Sequence, residues 1–326
     1  MERSTNRERA SLTAAAPAVT MASGMERSNV IDDRLAAGPI TWGVCEVPGW
    51  GTMLPAERVL SEMASLGITA TELGAPGFLP HRADDLNAVL ETHGVRLVAS
   101  FLPLVLHDRR RRDETLSRAR ATARLLAATG ASVLVSAAIA DDRWSRPDVV
   151  TPAQWDHLTG MLDALDELCA DHGLAHALHP HVGTLVETRD DVRTVLEKSS
   201  VAWCLDTGHL LIGGYDPATF AADASGRVAH AHLKDVAPGL GEAVAGRRRS
   251  LIDAVRDGLF RPLGRGIAPV AATVEQLEHD GYHGWYVLEQ DTDLGRHVPA
   301  PGEGPIVDAR LSVDYLREVL AGQPAG

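Results

Sequence analysis

The sequence predicts one α/β domain built as a (β/α)8 TIM barrel with parallel strands. Three observations lead there. From Pro39 onward, short apolar runs rich in β-branched residues alternate with longer stretches of helical period, the runs number eight, and no linker-like composition interrupts the chain after its first 36 residues. Such alternation places crossover helices between parallel strands, and eight units of this kind close into a barrel.

The strand candidates, in order, are "ITWGVC" (40–45), "ITATELG" (68–74), "VRLVASFL" (95–102), "SVLVSAA" (132–138), "LAHALH" (174–179), "VAWCLDT" (201–207), "VAHAHLK" (228–234) and "WYVLEQ" (285–290). Between them, "PAERVLSEMASLG", "ADDLNAVLETHG" and "AQWDHLTGMLDALDELCADHG" carry apolar residues at i, i+3, i+4 and i+7. In the last of these, Trp155, Leu158, Leu162, Leu165 and Leu168 form one stripe, and Asp156, Asp163 and Asp166 face away. Gly67, Gly94, Gly130 and Gly173 stand where helices should end in left-handed geometry. The long stretch 236–267, with "GRRRS" and "RPLGRG", reads as a solvated insertion after the seventh strand. Loops there lie over the active face of a barrel, so one of its arginines could reach a substrate.

Residues 1–36 read as a disordered extension and 37–326 as the single barrel domain. "MERS" occurs at both Met1 and Met25, so translation could also begin at the later methionine. A formal net charge of -13 argues against nucleic-acid backbones and acidic membrane surfaces as partners and favours a small neutral or cationic ligand. Cys45, Cys169 and Cys204 are odd in number, widely spaced and without CxxC, which fits a reducing cytoplasm and neither a disulfide framework nor a zinc ribbon. No window is long and apolar enough to span a membrane. No GxxxxGK[ST] or strand-borne GxGxxG is present, which disfavours phosphorylated and dinucleotide ligands.

Catalysis in a barrel belongs at the C-terminal strand ends. The last polar residues of strands five to eight are His179 in "ALHPH", Asp206 in "CLDTGH", His232 in "HAHLKD" and Glu289 in "VLEQD". Two imidazoles and two carboxylates from consecutive strands suit a divalent ion, Mn²⁺ or Co²⁺ first, with Fe²⁺, Zn²⁺ or Mg²⁺ also possible. Pro180 cannot donate to a ladder, so the fifth strand should stop near His179. His181 and His209 flank this set as proton donors or hydroxyl binders, and Lys234 and Asp235, just past the seventh strand, are candidates to take part in catalysis, contact substrate hydroxyls or support the ligands from behind. Glu72, at the end of the second strand, should occupy a polar pocket, since an unpaired buried carboxylate is costly. Trp42 and His107 are candidates for an aromatic wall and a hydrogen-bonding group, and Arg265 for a substrate contact from the insertion.

"TELGAPGFLP", "CLDTGHLLIGG", "HAHLKDV", "PLGRGI" and "GYHGWYVLEQD" resemble the sugar isomerase and epimerase superfamily with the xylose-isomerase-like barrel, and within it look most like inosose dehydratases. The resemblance runs from about Pro39 to Leu320. It implies a metal shell of Glu, Asp, His and Glu, in which Asp206, His232 and Glu289 match while His179 stands in place of the first glutamate. Inosose dehydratases resemble this chain there, with a His-x-His-x-Gly-Thr stretch corresponding to His179–Thr184. A metal-bound imidazole shuttles protons poorly, so two-base isomerisation is impaired and dehydration of a keto-cyclitol or keto-sugar is expected, with Glu289 as base. The alternatives are a keto-sugar isomerase or epimerase, an enzyme cleaving 3-keto-glycosides, and a non-catalytic sugar-binding barrel. A homo-oligomer is possible.

Overall fold

The computed structural model describes residues 33–45, 47, 49–145 and 150–321. Eight parallel strands form a closed barrel: β1 (Leu35–Ala37), β2 (Ala70–Glu72), β3 (Arg96–Leu104), β4 (Val133–Ala138), β5 (Ala175–Leu178), β6 (Ala202–Asp206), β7 (Val228–Leu233) and β10 (Tyr286–Leu288), with β10 pairing both β7 and β1. Two further strands, β8 (Asp235–Val236) and β9 (Phe260–Arg261), form a small antiparallel pair above the barrel.

Seven of the eight expected strands lie where their composition places them. The first does not. Residues 40–45 contribute to a turn, a 3₁₀ helix over Pro39–Trp42 closed by Gly43 at φ 80°, and the barrel strand is Leu35–Ala37. Ile40, Thr41 and Trp42 have strand-like side chains, but Pro39 fixes φ and starts the turn. Leu35 and Ala36, assigned to the extension from sequence, are therefore fully buried barrel residues. The rest of the expected extension, residues 1–32, lies outside the described residues.

Alternation along the strands sorts side chains into two layers. Ala36, Ala70, Val98, Ala99, Val133, Val135, Ala177, Cys204 and Val287 fill the barrel interior. Leucine-rich positions of the same strands pack outward against helices such as Ala56–Ser65 and Pro152–Ala170. Leu158, Leu162, Leu165 and Leu168 are buried as their spacing demands. Asp166 departs from the expected outward face: its Oδ1 lies 2.6 Å from His176 Nδ1 on β5. The four expected helix-ending glycines have φ between 64° and 76°.

The stretch after β7 is more ordered than its sequence suggests. It carries helices Pro238–Ala245 and Leu251–Arg256, and Val236, Val244, Ala254, Val255, Leu259 and Phe260 build a small core together with Val182 and Ile212. Asp235 anchors it, its carboxylate accepting N–H bonds from Gly266 (2.8 Å) and Ala268 (2.9 Å). A Cβ at position 266 would come within 2.3 Å of that carboxylate, so glycine is required there. No helix among the described residues is long and apolar enough to cross a membrane.

Candidate active site

The fifth strand ends as Pro180 requires: the His179 N–H still donates to Ser136 O at 2.7 Å, and the chain then turns away. The His179 ring is buried, with no hydrogen-bond partner on either nitrogen, and its Nε2 lies 3.4 Å from Asp206 Oδ2. Asp206 closes β6. Its Oδ1 accepts the N–H groups of Gly208 (2.8 Å) and His209 (2.7 Å), capping helix Thr207–Ile212. Those bonds engage Oδ1 and leave Oδ2 without a hydrogen-bond partner, facing His179, His232 and Lys234.

His232 on β7 completes the join. Its Nδ1 is 3.2 Å from Glu289 Oε2 and 3.8 Å from Asp206 Oδ2, while its Nε2 donates to Glu72 Oε1 at 3.0 Å. A carboxylate behind an imidazole fixes the ring and raises the basicity of the nitrogen facing an ion. Glu72 performs this orienting role, 2.8 Å also from His230 Nε2, at a register shift between β2 and β3. Such irregularities re-aim side chains beside sites. Its expected polar pocket is present, but two buried histidines surround it. Glu289 follows β10 and lies over Gly38, where a Cβ would sit 2.6 Å from its Oε1.

Lys234 sits in the middle. Its Nζ is 2.9 Å from Glu289 Oε2, 2.9 Å from Asp291 Oδ1, 3.5 Å from Asp206 Oδ2 and 3.1 Å from His209 Nε2. Burial opposes its charge, but Asp206, Asp291 and Glu289 hold it well above the usual lysine range. Burial likewise opposes ionisation of Asp206 and Glu289. Lys234 beside Asp206, and His232 with Lys234 beside Glu289, keep both far below the ordinary carboxylate range. Asp291 is pushed up to about 6 by burial and by Glu289, against the pull of Lys234. His232 is raised well above 6.5, because Cys204, Glu289 and Glu72 beside it outweigh its desolvation.

These residues fit a divalent ion. The unpartnered atoms of His179, Asp206 and His232 face one another, and one donor atom each from Asp206, His232 and Glu289 lies within 4.8 Å of the other two. Four carboxylates, on Glu72, Asp206, Glu289 and Asp291, stand against two cations, the Lys234 ammonium and the protonated His232, so the cluster has negative charge to spare for a dication. An ion here would be held by His179, Asp206, His232 and Glu289, displacing the extra proton of His232.

The set opens into a cavity of about 610 Å³, lined among others by Glu72, Phe101, Trp144, His181, Lys234 and Glu289. His181 Nδ1–H donates to Val182 O at 2.8 Å, and burial, with His179 and Lys234 nearby, pushes the ring down to about 3. The ring is neutral, with Nδ1–H engaged and Nε2 available as an acceptor, which accords with the hydroxyl-binding alternative expected of it. His209 stacks on it at 3.8 Å between centroids and is also held neutral by burial.

Four expected contacts are elsewhere. Trp42 is fully buried in the core, its Nε1 donating to Glu62 Oε2 at 2.8 Å. His107 lies past the end of β3 and lines neither this cavity nor its neighbour. Asp235 is spent on anchoring the insertion, and Arg265 is exposed on it. His230 and Asp291 were not foreseen, although His230 lies two residues from His232 on the same face of β7 and Asp291 two residues beyond Glu289 in the loop after β10. Phe101 and Trp144 carried no signal of this kind.

The family described as the xylose isomerase-like TIM barrel matches residues 60–319. Among curated relatives, an inosose dehydratase of Geobacillus kaustophilus is 29% identical over 299 residues, covering 88% of this chain and 94% of the relative. The rhizopine catabolism protein MocC of Rhizobium meliloti is 30% identical over 285 residues, covering 84% and 86%. Among solved structures, the IolI protein with a bound zinc atom superposes with a TM-score of 0.65 at 16% identity, over 90% of this chain and 100% of that one. The chain belongs to the xylose isomerase-like TIM barrel family.

Proposed function

We propose that this chain is a metal-dependent hydro-lyase that removes water from a neutral keto-cyclitol or keto-sugar. The observation that carries the reading is His179: an imidazole, not a carboxylate, stands across from Glu289 and 3.4 Å from Asp206. Other carboxylates lining the cavity are committed, Glu72 to two histidines and Asp142 to Arg111 and Arg118. Glu289 is therefore the carboxylate of this cavity that stands beside the proposed ligands Asp206 and His232, and it is the base of this reading. The relatives named inosose dehydratase support the same chemistry, and a zinc-bearing neighbour supports a divalent ion.

In the dehydration, a proton leaves the carbon beside the ketone, its electron pair forms a C=C bond, and the hydroxyl on the next carbon departs with a proton as water. The ion, when bound, polarises the ketone and stabilises the charge that develops on its oxygen. Glu289 takes the carbon-bound proton and passes it to the departing hydroxyl, which leaves as water and regenerates the carboxylate; the Lys234 ammonium at 2.9 Å keeps Glu289 ionised before the transfer. The three N–H groups of Lys234 are taken by Glu289, Asp291 and His209, so its part is to hold these groups and the local charge in place. His181, with its Nδ1–H engaged, presents Nε2 as acceptor for a substrate hydroxyl.

The test is to incubate the Mn²⁺-loaded protein with a panel of keto-cyclitols and keto-sugars and follow product mass. Loss of one water from at least one member is expected. Unchanged mass with altered stereochemistry would make the chain an isomerase, and no conversion at all would leave a binding role.

A further inference from the structure

Beside the cavity over the strand ends lies a second one of about 560 Å³. The two share the side chains of Ile40, Phe101, Trp144 and His181. Both are lined mainly by apolar side chains, but only the first holds the Glu289 carboxylate, the Lys234 ammonium and His179, whereas the second is lined by Trp50, Val182, Val244, Leu251 and Ile252 together with the run Arg247 to Arg249 and Asp291. Each volume falls within the range of small-molecule sites, and a six-membered polyol ring needs only one of them.

The shared wall is built at a backbone cost. Trp144 has φ 59° and Arg247 has φ 58°, the two non-glycine residues with positive φ among the described residues, and both line the second cavity. A bulky side chain in this region costs on the order of 1–3 kcal/mol and persists only where its surroundings impose it. At Trp144 they do: Asp141 Oδ1 accepts the N–H groups of Arg143 (2.9 Å) and Ser145 (3.0 Å). The indole is thereby held 6.3 Å from the Phe101 ring, nearly parallel to it, and 5.3 Å from His181. Arg247 is fixed by an ion pair to the buried Glu187 at 2.7 Å. The floor of the second cavity includes Asp291, whose carboxylate contacts Lys234 of the first.

We propose that the second cavity is a subsite for a ring-sized apolar or aromatic substituent carried by the keto-ring held over the strand ends. This deepens the dehydratase reading and rests on it for the position of the keto-ring. A ligand with a polyol half and an apolar half matches the two linings. Trp144 then acts as a positioning residue, with one edge toward each half of the ligand.

Calorimetric binding to the full-length, Mn²⁺-loaded chain tests this without turnover, using phenyl β-D-glucopyranoside and methyl β-D-glucopyranoside as probes. Burying the phenyl ring should make the first bind about tenfold tighter or more. Leu251→Trp and, independently, Ile252→Trp should fill the subsite and bring the ratio below about twofold. A parent ratio below twofold, no detectable binding of the phenyl probe, or a high ratio unchanged in both variants would each overturn the proposal. Failure of the dehydratase reading would show separately, as absence of water loss from unsubstituted keto-cyclitols.

Discussion

Asp206 shows how one side chain serves fold and chemistry at once. Its Oδ1 caps helix Thr207–Ile212 and its Oδ2 faces the cluster. Replacing it by alanine would therefore confound loss of a helix cap, worth about 1 kcal/mol, with loss of a ligand. Asp206→Asn keeps an acceptor for the cap and removes the charge. Mn²⁺ affinity measured by calorimetry should fall tenfold or more in Asp206→Asn and in His232→Ala, since even outer partners of such ligands cost roughly 10–100-fold. Parent-like Mn²⁺ affinity in both variants would remove these residues from the shell. Residue types and strand-end positions made this set legible in the sequence. Lys234 was a catalytic candidate too, but its place among three carboxylates was not legible, because in "HLKD" it reads equally well as half of a surface ion pair.

Between strands and helices, Ser136, His176 and Asp166 form a second polar chain. Ser136 Oγ lies 2.7 Å from His176 Nε2, and His176 Nδ1 lies 2.6 Å from Asp166 Oδ1. The order resembles that of a hydrolase triad. Yet Ser136 is fully buried and lines neither cavity, so no substrate reaches its hydroxyl. The chain instead ties β4 and β5 to helix Pro152–Ala170. His176→Ala should cost about 1–3 kcal/mol by stranding a buried hydroxyl, read as a lower urea midpoint with unchanged slope. An unmoved midpoint would show that the tie contributes nothing. The first strand marks the limit of reading elements from composition. Leu35–Ala37 is three residues long and two of them are alanine, so neither length nor β-branching announced it, and the strand-like residues beyond Pro39 became a turn.

Across the whole molecule, alternation of strand and helix was enough to predict a barrel and to bring four distant residues to one mouth. The same reasoning missed what depends on loops: the ordered insertion after β7, the Trp144 turn, and the second cavity between them. Loop geometry follows from single hydrogen bonds such as those of Asp141 and Asp235, which leave no periodic trace. The central claim concerns reaction type and rests on His179. Substituting it with glutamate adds a carboxylate beside Asp206, lowers the effective charge of a bound ion and offers a second base opposite Glu289. His179→Glu and the parent, both loaded with Mn²⁺, are to be run with the same keto-cyclitol in deuterated water and the recovered substrate analysed by mass. The variant should lose water more slowly and return substrate or its epimer carrying solvent deuterium. A variant that dehydrates as fast as the parent and incorporates no deuterium would contradict the account.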